Sequence, residues 1–209
     1  MSTLSKILEH KIVAIIRGAH PDDVLKIAGA LHDGGIKLLE VTMNSSNALE
    51  VIKELSETMK DKMLIGAGTV LDAETVTSVI NAGAQFIISP NLDIAVIRKT
   101  KELEAVSIPG AFTPTEIVNA YRNGGDIIKV FPASANVNYI KEIRAPLPHI
   151  PLMPTGGITL ENIGDFHKVG AVAFGIGTAL VNTKEKVTTE YLKQLTETAE
   201  RFVQITIAF

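Results

Sequence analysis

The chain is predicted to fold as a (β/α)8 barrel of the TIM type, a single domain over residues 1–209 with a short N-terminal helix. Three observations predict it. Short apolar runs alternate with helix-period segments along the whole length, and no Pro/Ser/Gly linker or low-complexity tract divides them. The runs recur about every 20–26 residues, the spacing of βα units. Hydrophobic residues make up 46% of the chain but aromatics only 5%, with no tryptophan and 16 glycines. That is the aliphatic core favoured by parallel sheets covered on their faces by helices.

The N-terminal segment Met1–His10 is amphipathic and lacks the apolar centre of a signal peptide. The strands follow as Ile12–Ile16, Leu38–Thr42, Leu64–Gly68, Phe86–Ser89, Val106–Pro109, Ile127–Phe131, Leu152–Pro154 and Val172–Gly175. Helical spacing of apolar residues marks Asp22–Asp33, Asn47–Lys60, Ala73–Ala82, Thr115–Arg122 and Glu161–Lys168. Asp22, Ser46, Asp72 and Thr113 read as caps, the last followed by Pro114 at the first helical position. Gly34-Gly35, Gly83, Gly124-Gly125 and Gly170 end helices. An open doubly wound sheet would want a Gly-rich dinucleotide turn after the first strand, and Ile16-Arg17-Gly18-Ala19 is not one.

Composition narrows the chemistry. A formal net charge of -3 gives no global pull toward nucleic acid or a membrane surface. With no cysteine there is no disulfide framework, thiolate nucleophile or cysteine-bound metal. His10, His20, His32, His149 and His167 are scattered without ligand spacing, which disfavours a zinc mechanism, and no serine sits in a nucleophile elbow. No apolar stretch is long enough to span a bilayer, so a soluble cytoplasmic protein is expected.

In a barrel, reactive groups gather at the C-terminal ends of the strands. The polar residues there are Arg17, Glu40, Thr69, Lys129 and Thr155. Lys129 lies within the run Ile127-Ile128-Lys129-Val130-Phe131-Pro132. Desolvation would lower its pKa and leave free amine, the form that attacks a ketone to make a Schiff base. A lysine snorkelling out of a strand end reads equally well from these letters. Glu40 and Thr42 share one face of Leu38-Leu39-Glu40-Val41-Thr42, and a buried glutamate with raised pKa can exchange protons near neutrality. The other reading is a structural salt bridge from Glu40 to Arg17 or Lys129. Arg17 offers a fork for a carboxylate, or a surface ion pair. Gly66 and Gly68 ahead of Thr69 allow close approach of a ligand, or simply a tight strand exit. Pro154-Thr155-Gly156-Gly157 and Gly175-Ile176-Gly177-Thr178 leave the last two strands and are expected to enter helices, an arrangement suited to phosphate.

Taken in order, Leu39-Glu40-Val41-Thr42, Gly66-Ala67-Gly68-Thr69-Val70, Ile88-Ser89-Pro90, Pro109-Gly110, Lys129-Val130-Phe131-Pro132 and Pro154-Thr155-Gly156-Gly157 resemble the bacterial KHG/KDPG aldolases, over nearly the whole chain. The resemblance implies a class I, metal-independent lyase without a cofactor, usually a homotrimer. The implied reaction cleaves 2-keto-3-deoxy-6-phosphogluconate to pyruvate and glyceraldehyde 3-phosphate. Cleavage of 4-hydroxy-2-oxoglutarate to pyruvate and glyoxylate is a second candidate. Lys129 matches the Schiff-base lysine and Glu40 the general acid/base. Thr69 and Arg17 resemble contacts for the pyruvyl carboxylate, and Pro90, Phe131 and Thr155 would line the pocket. Gly156, Gly157, Gly177 and Thr178 would hold the phosphate. One position departs: several members carry arginine four residues after the glutamate, where this chain has Asn44. Asn44-Ser45 is also similar to the 2-keto-3-deoxy-6-phosphogalactonate aldolases. Another phosphate-binding barrel enzyme, a non-catalytic sensor of phosphorylated sugar acids and a cation-dependent aldolase are the rival readings.

Overall fold

The computed structural model describes residues 1–134 and 136–209. Nine strands run in order among the described residues: β1 Ile12–Ile16, β2 Leu38–Thr42, β3 Leu64–Gly68, β4 Phe86–Ile88, β5 Val106–Ile108, β6 Gly110–Ala111, β7 Ile128–Val130, β8 Leu152–Pro154 and β9 Phe174–Ile176. Every pairing is parallel. The strands form a six-stranded sheet, β5-β4-β3-β2-β1-β9, and a three-stranded sheet, β6-β7-β8. The two sheets meet through an isolated parallel bridge between Thr155 and Gly175. The expected parallel α/β alternation is therefore present, with the ladder in two sheets rather than one continuous ring.

The break between the sheets explains the revised fifth strand. Pro109 has no N–H to give a ladder, so the expected Val106–Pro109 run ends at Ile108 and resumes at Gly110. Pro109 keeps its carbonyl in use, accepting from the Lys129 N–H at 2.9 Å. The strand expected at Val172–Gly175 is shifted to Phe174–Ile176.

Nine helices lie among the described residues: α1 Thr3–His10, α2 Pro21–Asp33, α3 Ala48–Thr58, α4 Ala73–Asn81, α5 Ile94–Glu102, α6 Pro114–Arg122, α7 Val137–Arg144, α8 Ile163–Lys168 and α9 Thr189–Ile207. Asp72 caps α4 by accepting from the Thr75 N–H at 2.7 Å, and Thr113 with Glu116 forms a reciprocal capping box on α6. Two expected caps are displaced. Pro21 already occupies the first turn of α2, so His20 is the cap residue and Asp22 sits inside the helix, where its charge favours the positive end. Asn47 rather than Ser46 precedes α3, in the left-handed conformation that asparagine tolerates.

The strands bury both faces. One face packs on the helices in the larger apolar cluster. On the other, Val13, Leu38, Leu64, Phe86, Ile127 and Met153 converge with Ile7 of α1, which is fully buried. Alternation then dictates that the residues two further along each strand share that second face. No helix among the described residues is long and apolar enough to cross a membrane.

Candidate active site at the C-terminal ends of the strands

Two residues beyond Leu38 and Ile127 on the same face stand Glu40 and Lys129. They are 0% and 2% exposed, in a layer otherwise made of small or neutral side chains. Glu40 is flanked in register by Ile15 of β1 and Gly66 of β3. Lys129 is flanked by Gly110 of β6 and Met153 of β8. The glycines make the room. A side chain at Gly68 would overlap the Glu40 carboxylate, and one at Gly110 would overlap the backbone of Pro90. Pro90 is thereby held beside the strand that neighbours Lys129.

Neither carboxylate oxygen of Glu40 has a hydrogen-bond partner among the described residues. The structural salt bridge to Arg17 or Lys129, the alternative reading of Glu40, is not formed. Burial pushes the Glu40 carboxyl above its ordinary range, opposed by the charges of Lys129 and Arg17. Burial likewise lowers the Lys129 ammonium, opposed by Glu40 and reinforced by Arg17. Both groups are driven toward their neutral forms, a free amine and a protonated carboxyl. The Lys129 nitrogen stands 5.0 Å from the centre of the Phe131 ring, which walls it on one side.

Beside this pair opens a cavity of about 460 Å3, lined by Arg17, Phe131, Thr155, Gly156, Gly157, Gly177 and Thr178 among others. Thr155 is buried, and its hydroxyl lacks a partner among the described residues. A side chain at Gly175 would collide with that hydroxyl. Gly156 and Gly157 take φ of +95° and +76°, which only glycine adopts at little cost, so the turn exposes backbone to the cavity. Thr69 adopts φ of +56°, uncommon for a β-branched residue. It is held there because the carbonyl before it accepts from Met43 at 2.7 Å and the N–H after it donates to Ile88. Strain of this kind is concentrated at functional sites.

The structure thus gathers the expected residues into two adjoining groups. Arg17, Phe131, Thr155 and the glycine turns line the cavity; Glu40, Lys129, Thr69 and Pro90 lie on the strand ends beside it and are not part of its lining. Asn44 is exposed, in the turn after β2. The expected helices directly after Gly157 and Gly177 are not there. The first does not begin until Ile163, and after β9 the chain makes one turn, with the Leu180 and Val181 N–H groups returning to the Gly177 carbonyl. Three residues hold structural contacts that their sequence context does not announce. Ser45 accepts from the Gly18 N–H at 2.9 Å, Thr183 donates to the Arg17 carbonyl at 2.7 Å, and Lys184 lines the cavity. All three sit in aperiodic loops, where spacing points to nothing. Among the described residues, no three of His, Cys, Asp and Glu converge as metal ligands would.

The sequence profile described as KDPG and KHG aldolase matches residues 4–197. The chain is 36% identical over 178 residues to a 2-dehydro-3-deoxy-6-phosphogalactonate aldolase of Escherichia coli strain K12, covering 84% of this chain and 87% of that protein. It is 34% identical over 203 residues to a 2-dehydro-3-deoxy-phosphogluconate aldolase of Pseudomonas aeruginosa, covering 94% and 91%. Among solved structures, a KDPG aldolase from Legionella pneumophila, with pyruvate captured at low pH as a covalent carbinolamine intermediate, aligns with a TM-score of 0.84. It shares 28% identity, covering 95% of this chain and 97% of that one.

Proposed function

Because the chain belongs to the KDPG and KHG aldolase family, we propose that it is a class I aldolase. The proposed reaction cleaves 2-keto-3-deoxy-6-phosphogluconate to pyruvate and glyceraldehyde 3-phosphate, with Lys129 as Schiff-base nucleophile. The observation that carries this reading is the buried pair itself. Lys129 and Glu40 lie on the same inner strand face, each driven toward its neutral form, and no ion pair satisfies the carboxylate.

In the reaction, the Lys129 amine attacks the C2 ketone, and Glu40 donates the proton that lets the carbinolamine lose water. The resulting iminium withdraws electrons. Glu40, now ionised, takes the C4 hydroxyl proton as the C3–C4 bond breaks, and the electron pair of that bond moves to the iminium to give an enamine. Glyceraldehyde 3-phosphate leaves. The enamine is protonated at C3, and water hydrolyses the imine to release pyruvate and the free lysine. Arg17 and Thr69 hold the carboxylate at C1, while Pro90, Phe131 and Thr155 shape the reacting centre. Gly156, Gly157, Gly177 and Thr178 hold the phosphate through backbone groups. The hydrogen bonds across Pro109 and the Thr155–Gly175 bridge support closure of the two sheets into one (β/α)8 barrel spanning residues 1–209. By the family resemblance, the enzyme works in the cytoplasm as a homotrimer.

The similarity to the galactonate-type enzyme of E. coli supports a second reading, in which the C4 epimer is the substrate. Asn44, where other members carry arginine, leaves the carboxylate to Arg17 in either case. Borohydride reduction in the presence of pyruvate, followed by peptide mass mapping, tests the chemistry common to both. A reduced pyruvyl adduct on Lys129 is expected, and a folded protein with Lys129 unmodified would retire the aldolase reading. Pyruvate release from each C4 epimer then separates the two substrates.

A further inference from the structure

Two cationic side chains, Arg17 and Lys184, line the cavity, and among the described residues no carboxylate does. On a chain of net charge -3 this is a local reversal of sign. The turn that carries Lys184 is built rather than slack. Thr183 donates its hydroxyl to the Arg17 carbonyl at 2.7 Å, which fastens the turn to the end of β1. Asn182 accepts from the Lys184 N–H at 3.3 Å and gives its amide to Glu185 at 2.6 Å. The carboxylate nearest in sequence is thus engaged elsewhere, and Lys184 has no ion pair among the described residues. Lys26, Lys99, Lys168 and Lys193 by contrast each pair with an acid three or four positions away. The glycine turns at Gly156-Gly157 and Gly177-Thr178 line the same cavity and offer backbone donors but no charge.

We propose that Lys184 is a specificity-determining residue, supplying the positive charge that selects substrates with a terminal phosphate over dephosphorylated ones, and that Thr183 positions it. This rests on the aldolase reading and refines its outer subsite. Arg17 engages the carboxylate at one end of a substrate with two anionic groups, and Lys184 meets the dianion at the other. The gain is differential, because a ligand ending in a hydroxyl gives the ammonium nothing to offset its lost hydration.

Steady-state kinetics on the 6-phosphorylated substrate and its dephosphorylated counterpart, with calorimetric titration of inorganic phosphate, test this. Lys184→Gln is expected to lower the ratio of kcat/KM for the two substrates about tenfold, through KM for the phosphorylated one, and to weaken phosphate binding about tenfold. Lys184→Arg should restore most of both. Thr183→Val should give an intermediate loss that Thr183→Ser reverses. A Lys184→Gln protein with unchanged ratio and unchanged phosphate affinity overturns the proposal while leaving the aldolase reading intact. Lys184-dependent phosphate binding by a wild-type protein that releases no pyruvate from either substrate would sustain the subsite and remove the reaction.

Discussion

The two layers of side chains on the inner strand face are made by the same strands, two residues apart, yet they obey opposite rules. The first, with Leu38, Ile127 and Met153 around Ile7, is wholly apolar and buried. The second holds Glu40, Lys129 and Thr155, equally buried, with the oxygens of Glu40 and Thr155 unpartnered among the described residues. The first layer loses free energy if any atom is removed from it, because a cavity remains where contacts were. The second is costly to hold, since unpaired buried polar groups destabilise a fold; under the proposed function that cost is met by its reactivity. On that reading, side chains only about 7 Å apart along a strand are divided between stability and chemistry.

Breaking the second layer should leave the first standing. Lys129→Met, of similar length and without charge, is expected to abolish turnover and borohydride trapping, a loss of more than about four decades. Its thermal midpoint should be equal to or above that of the wild type, because a buried polar amine has been replaced by an apolar chain. A folded Met variant with measurable pyruvate release would unseat the lysine. Glu40→Gln comes next, with kcat expected to fall by about two to four decades. Its stability sharpens the comparison through pH. The carboxyl of Glu40 is raised above 4.5, so from that pH up to its native pKa the folded protein keeps a proton that the unfolded chain releases. This contribution to wild-type stability is complete below 4.5 and is lost as pH rises through the native pKa. The Gln variant lacks that slope, so the gap between the two melting curves should move in its favour as pH increases. Breaking the first layer does the reverse. Leu38→Ala should cost about 2–5 kcal/mol in denaturant titration, while the folded fraction still forms the adduct on Lys129. Loss of the adduct without loss of stability would dissolve the distinction between the layers.

The division of labour is readable from the sequence where period carries it. A lysine inside Ile127-Ile128-Lys129-Val130 and a glutamate inside Leu38-Leu39-Glu40-Val41 interrupt otherwise apolar runs, which marks both as candidates, while the face they share is set by how the strands pack. The Gly-rich strand exits at Gly156-Gly157 and Gly177 are visible in the same way. The segments beyond those exits are not. Helices are expected there, but the Gly177 turn closes on itself and passes to Asn182, and α8 begins only at Ile163. The tie from Thr183 to Arg17 joins residues 166 positions apart. Local spacing carries no trace of such a contact, so nothing in the letters sets Lys184 apart from the other lysines. Pro109 splits a strand for a reason the letters do contain, since it lacks a donor.

Gly68 carries a consequence of another kind. The Glu40 carboxylate lies where any side chain on Gly68 would have to be. In genetic terms the two positions are a single locus: while position 40 is glutamate, position 68 has one permitted allele. Alanine at 68 should be damaging in the wild-type background and nearly silent once Glu40 has been shortened to alanine. The glutamate encoded by one strand therefore constrains the spelling of its neighbour, and under the proposed mechanism drift at position 68 must wait for the reaction to be given up at position 40.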